Sequence, residues 1–165
     1  AAEDGAGAWW LITADGRIVD QTAAPAGYTK LLGVKLDSPK VGQQAKALED
    51  PIPEVSTDPS GESVTPPPVT VFASEKLGIA LNIFEKLESD GILGTMVSVD
   101  VTELTSVELW YADQFQIRLG DCHDRLNYKL SAMASAIEQM GTYQRGELDV
   151  SFTTWPDQVG YTPFS

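Results

Sequence analysis

The sequence predicts an α+β fold, a mostly antiparallel sheet with two helices packed on one face, and three features carry that reading. Alternating segments follow one another closely between Thr95 and Phe152. A long amphipathic helix interrupts them after Gly120. A second helical pattern lies upstream, from Ser74 to Leu87.

Taken in order, Ala1 to Gly7 is small and acidic and is expected to be a frayed start, with neither the basic opening nor the apolar run of a signal peptide. Trp9 to Ile12 rises sharply in hydrophobicity, breaks at Asp15-Gly16 and resumes as Arg17, Ile18 and Val19. Two such runs around Asp-Gly predict a hairpin. Leu31 to Leu36 suits a further short strand, ended by Asp37-Ser38-Pro39.

From Ala45 to Thr70 the composition changes, with Pro51, Pro53, Pro59, Pro66, Pro67 and Pro68 set among Glu, Ser, Thr and Asp. A segment so poor in apolar side chains cannot offset its ordering entropy by burial, so an exposed, partly extended loop is expected. Pro66 to Pro68 also suits a docked proline-rich ligand, although plain linkers of this composition are commoner.

Leu77, Ala80, Leu81, Phe84 and Leu87 recur at helical spacing behind Ser74, a capable N-cap, and Asp90-Gly91 ends the pattern. Gly78 costs this helix about 1 kcal/mol relative to alanine, so packing or close approach to the sheet is expected to compensate. Val97, Val99 and Val101 then alternate with Ser98 and Asp100, as Val107, Leu109 and Tyr111 do with Glu108 and Trp110. Trp110 should therefore lie off the main core. Phe115, Ile117 and Leu119 repeat the period of two, and Ala112-Asp113 leaves room only for a tight antiparallel turn.

Leu126, Leu130, Met133, Ile137 and Met140 fall on one helical stripe, for which Asp121 or Asp124 is the expected cap. Leu148, Val150 and Phe152 alternate with Asp149 and Ser151, and a last extended piece is expected at Gln158 to Tyr161.

The 165 residues suffice for one domain with its own core, and no apolar run approaches the ~20 residues of a membrane span. A net charge of −13, from 24 acidic against 11 basic residues, repels phosphates. Nucleic acid and anionic lipid surfaces are excluded as primary partners. Cys122, the one cysteine, can form no internal disulfide.

Asp121-Cys122-His123-Asp124 places the one cysteine beside the one histidine. A thiol hydrolase assembles that pair from distant segments, and neighbours on a helix point about 100° apart, so a helix start with a passive thiol is the simpler reading. One histidine and one cysteine do not complete a tetrahedral zinc shell, and no glycine-rich phosphate loop or nucleophile elbow is present in the sequence. No cofactor or metal is expected, and no catalytic residue is assigned.

The run WWLITADGRIVD from Trp9, followed by LLGVKLDSPKVGQ from Leu31, resembles the segment that leads into the extracytoplasmic β domain of the bacterial cell-division proteins FtsQ and DivIB. FQIRLGD at Phe115, YKL at Tyr128, GELDVSF at Gly146 and VGYTPF at Val159 resemble that family's strand, helix, strand and closing strand in the same order. The Pro-rich segment has no counterpart there.

The resemblance implies that residues 1–165 form one extracytoplasmic β domain, without the membrane helix and small domain that precede it in the family. It implies a single-pass cell-membrane protein, reaching the membrane only through that helix, with its domain on the extracytoplasmic side. It further implies a non-enzymatic divisome scaffold binding FtsL-like and FtsB/DivIC-like proteins during septation, with a partner strand added near the C-terminal edge. The matching positions lie in Leu148 to Thr154 and around Gly160-Tyr161. The residues expected to bind the partner are Asp149, Ser151, Phe152, Thr153, Trp155, Gly160 and Tyr161, with Phe152, Trp155 and Tyr161 as aromatic anchors because binding energy concentrates in such residues. Two readings from other classes stay open. One is a secreted or surface-tethered hydrolase; the other is a cell-wall carbohydrate-binding module using Trp9, Trp10, Trp110 and Trp155.

Overall fold

Apolar residues at every second position build the sheet, and a computed structural model describes the chain over residues 1–50 and 72–165. Among the described residues the strands are β1 (Ala2–Asp4), β2 (Trp9–Ile12), β3 (Ile18–Thr22), β4 (Lys30–Leu36), β5 (Met96–Asp100), β6 (Val107–Tyr111), β7 (Phe115–Gly120), β8 (Gly146–Asp149) and β9 (Gly160–Pro163). Helix α1 (Ala73–Ser89) lies between β4 and β5, and α2 (Leu126–Gln139) between β7 and β8.

The nine strands form one mixed sheet in the order β3-β2-β1-β4-β5-β6-β7-β8-β9. Three of its pairings, β1 with β4, β4 with β5 and β7 with β8, are parallel, and the other five are antiparallel. The α+β class and a mostly antiparallel sheet hold in that form. The parallel pair at β7 and β8 follows from α2, because a helical crossover carries the chain back to the end of the sheet at which β7 began.

The expected frayed start is instead β1, in which Ala2 is fully buried between β2 and β4. Asp4 secures the turn that follows. Its carboxylate accepts the Ala6 and Ala8 N–H groups and the Trp10 indole N–H, each at 2.9 Å. The Asp15-Gly16 hairpin joins β2 to β3 as expected.

β4 carries a glycine for a local reason. Gly33 adopts φ +89°, and a Cβ there would lie 2.3 Å from the Thr102 backbone nitrogen. After β4 the chain does not leave the core at once. Ala45 is buried, Leu36 bridges to Ala47, and Leu48 donates to the Lys35 carbonyl at 2.8 Å. Residues 45–48 are therefore docked rather than part of an exposed loop, and residues 51–70 of the Pro-rich segment, Pro66 to Pro68 included, lie outside the described residues.

Helix α1 buries Leu77, Ala80, Ile83, Phe84 and Leu87. Ile83 takes the place expected of Leu81, which is only partly buried. Ser74 is not the cap. Phe72 holds that position without a side-chain bond, and Glu49 caps from outside, its two oxygens accepting the Ala73 and Ser74 N–H groups at 2.7 Å each. Among the described residues nothing lies within 4 Å of a Cβ placed on Gly78, so neither packing nor close approach of these residues compensates for it.

In β5 the expected Val97, Val99, Val101 face is broken. Met96 pairs with Tyr111 and Ser98 with Trp110, leaving Val97 as the extra residue of a bulge. Val97 is consequently exposed, while Met96 and Ser98 are buried. From Val99 onward the phase returns, and Val99, Leu109, Ile117 and Leu148 form one buried row across four strands. Trp110 is on the opposite side, as expected, and 38% exposed.

α2 buries Leu130 and Met133 completely, with Leu126, Ile137 and Met140 packed at the margin of the core. Each fully buried leucine or methionine of this kind is worth about 1.5–3 kcal/mol. Its expected carboxylate cap is absent: the N-cap residue is Arg125, left-handed and without a side-chain bond. Asp121 instead closes its own turn, accepting the His123 N–H at 2.9 Å. Lys129, also buried, sends its ammonium back to the Asp121 carbonyl at 2.8 Å while its stem fills space in the core.

Candidate functional site

The C-terminal end of the sheet is built by β8 and β9, whose register sets Glu147 opposite Thr162 and Asp149 opposite Gly160. Phe164 continues the ladder, its N–H donating to the Arg145 carbonyl at 3.1 Å. In an antiparallel pair the backbone groups of alternate residues turn inward and outward. Gly160, Thr162 and Phe164 therefore bond toward β8, and Tyr161 and Pro163 turn theirs away. Pro163 has no N–H to offer. Among the described residues, the outer edge of β9 thus presents one unpaired donor, Tyr161 N–H, and two acceptors, the Tyr161 and Pro163 carbonyls.

Glycine makes this pairing possible. A Cβ on Gly146 would lie 2.3 Å from the Thr162 carbonyl oxygen and 2.9 Å from Pro163 Cα. The Tyr161 ring crosses Gly146 instead, meeting Phe115 edge-on at 6.5 Å, and its hydroxyl donates to the Arg145 carbonyl at 3.1 Å. On the other face the Trp155 indole rests on Gly160, where a Cβ would stand 3.0 Å from its Cδ1. Phe164 stacks on Trp110 on that same face, with ring centroids 6.5 Å apart. Trp155 is 55% exposed and Tyr161 37%, so aromatic surface flanks the edge on both sides.

The residues expected to bind a partner therefore separate. Trp155, Gly160 and Tyr161 lie along the outer edge. Asp149 and Ser151 do not, because β8 is paired with β7 on one side and β9 on the other. Asp149 accepts the Ser151 N–H at 2.9 Å and hydroxyl at 2.6 Å, and the buried Ser151 hydroxyl lies 2.7 Å from that of Thr153. Phe152 is 8% exposed beneath Arg125 and Tyr128 rather than an open anchor. The closing strand itself is the edge, two residues later than expected, at Gly160–Pro163. Thr162, Pro163 and Phe164 were not among the expected residues, although their alternation after Gly160 was the available signal.

At the start of α2, Asp121, Cys122 and His123 each bring a ligand-type atom within 4.8 Å of the others. Burial, then the Asp121 charge, pushes the Cys122 thiol up to about 11, so it stays protonated at neutral pH. That is the opposite of what a thiol nucleophile needs. Both ring nitrogens of His123 are already engaged, Nε2 with Glu75 at 3.1 Å and Nδ1 with Asp121 at 3.0 Å. A separate cleft of about 520 Å³ opens beside β2, β3 and the end of α1, walled by Leu11, Ile12, Val19, Tyr28, Phe84 and Leu93. Among the described residues its one acidic lining residue is Glu88.

Comparison of the chain with family models, curated proteins and solved structures returned no match. No described helix is long and apolar enough to cross a membrane.

Proposed function

We propose that this chain is the extracytoplasmic β domain of an FtsQ/DivIB-like divisome scaffold, non-enzymatic, in which both helices cover one face of the sheet. An FtsB/DivIC-type partner adds a strand to the outer edge of β9, and an FtsL-type protein joins the same assembly. The observation that carries this reading is the β9 edge: an unpaired Tyr161 N–H and two free carbonyls among the described residues, flanked by Trp155 and Tyr161. It coincides with VGYTPF, a run that resembles the closing strand of that family. Strand addition draws affinity from such main-chain groups and selectivity from the side chains beside them.

Pro163 gives the edge a limited register. An incoming strand can exchange both bonds with Tyr161 but receives only a carbonyl at Pro163, and the same missing donor discourages pairing with an arbitrary strand. The test is binding of the extracytoplasmic segment of the FtsB/DivIC-type protein from the same genome. Tyr161→Pro removes the outward N–H and should abolish capture while circular dichroism reports a folded domain; Tyr161→Ala keeps the N–H and should retain measurable binding. Wild-type affinity in folded Tyr161→Pro would show that the partner binds elsewhere.

A further inference from the structure

Arg125 and Phe152 are both non-glycine residues held in the left-handed region, at φ 48° and 58°. A bulky aromatic residue keeps that conformation only where its surroundings over-determine it. Here the two residues hold each other. The Arg125 guanidinium carbon lies 5.3 Å from the Phe152 ring centroid and 5.8 Å from that of Tyr128, and the two rings are 5.5 Å apart. The same guanidinium continues to the far end of the loop, where its Nη1 donates to Asp157 Oδ1 at 2.6 Å. Its Nε lies 3.5 Å from Asp124 on its own segment.

One side chain from the start of α2 therefore grips the loop between β8 and β9 at both ends. Trp155 lies between the two points of grip. The Gln158 N–H donates to the Trp155 carbonyl at 3.2 Å, which closes the turn and lays the indole against Gly160.

We propose that Arg125 is a positioning residue for the β9 edge: it holds the Trp155 loop in the conformation that receives a partner strand, without itself touching that strand. The proposal rests on the reading of this edge as the partner site. An ion pair with both side chains about half exposed, 46% and 65%, contributes little to global stability. What it removes is loop freedom, which a partner would otherwise have to remove on binding. Lysine is a poor substitute, because only the planar guanidinium can stack on Phe152 while bonding Asp157.

The experiment compares wild type, Arg125→Ala, Arg125→Lys, Asp157→Asn, Trp155→Ala and the Arg125→Ala/Trp155→Ala double variant. Two readouts are needed. The first is the ¹⁵N relaxation of the Trp155 indole N–H in the free domain, and the second is affinity for the same FtsB/DivIC-type segment. Loss of either end of the grip should loosen the indole and weaken binding roughly tenfold, the factor set by a smaller competent fraction. Arg125→Ala should add no further loss in the Trp155→Ala background. A rigid indole in folded Arg125→Ala or Asp157→Asn overturns the clamp, as does an undiminished Arg125→Ala effect without Trp155, which would mean direct contact. A wild-type domain that fails to bind the probe overturns the partner-edge reading instead, and the indole readout still decides on the clamp.

Discussion

His123 joins two separate elements, with Nε2 3.1 Å from Glu75 in the first turn of α1 and Nδ1 3.0 Å from Asp121 ahead of α2. Ionised carboxylates only accept, and neutral imidazole carries a single N–H, so both contacts are satisfied together only by the imidazolium. Glu75 first, then Asp121, raises the His123 pKa above its ordinary value. The stability from this contact is fully present below the unfolded value of about 6.5 and is lost as pH rises through the higher folded value. An NMR titration of the single imidazole should give a midpoint above 6.5, moved down by Glu75→Gln. A wild-type midpoint at or below the ordinary value would show that the bridge does not form in solution.

Glu49 offers the opposite sign. Bonds from Ser74 and Ala73 hold its carboxyl below the usual range, so its capping of α1 is present above the unfolded carboxylate pKa and fades as pH falls through the folded one. Glu49→Gln should lower the thermal midpoint at pH 7 and lose that deficit in acid. A variant that melts with wild type at both pH values would remove Glu49 as the cap.

Such long-range capping marks the limit of what local sequence shows. The β6–β7 hairpin and the Leu126 to Met140 stripe were legible because period two and period 3.6 are local patterns enforced by one buried face. Ala2–Asp4 was not, since three small or acidic residues become a strand only through neighbours β2 and β4. The bulge at Val97 hides behind a perfect valine alternation, because only the pairing with Tyr111 and Trp110 reveals the extra residue. At the candidate site the aromatic residues and their order could be read. Which of β8 and β9 forms the edge could not, because that depends on the closing strand folding back along Gly146–Asp149.

Gly78 lies on the exposed side of α1, and no described residue comes within 4 Å of a would-be Cβ. Gly78→Ala should therefore stabilise the domain by about 1 kcal/mol in chemical denaturation, since alanine loses less backbone entropy in a helix. Destabilisation would mean that this position meets a neighbour outside the described residues.

Gly146 predicts the reverse. A methyl group there meets the Thr162 and Pro163 backbone, which no rotamer change relieves. Gly146→Ala should cost about 1–3 kcal/mol and specifically unprotect the Thr162 and Phe164 amides in hydrogen exchange. Intact protection of both would refute the close approach of β9 to β8.

Hydrogen exchange at Tyr161 tests the central claim most directly. In the free domain its outward N–H should exchange quickly while its neighbours Thr162 and Phe164, bonded toward β8, are protected. When the FtsB/DivIC-type segment binds, the Tyr161 amide should become protected to the level of those neighbours. A saturated complex in which Tyr161 still exchanges as fast as in the free domain would contradict strand addition at this edge.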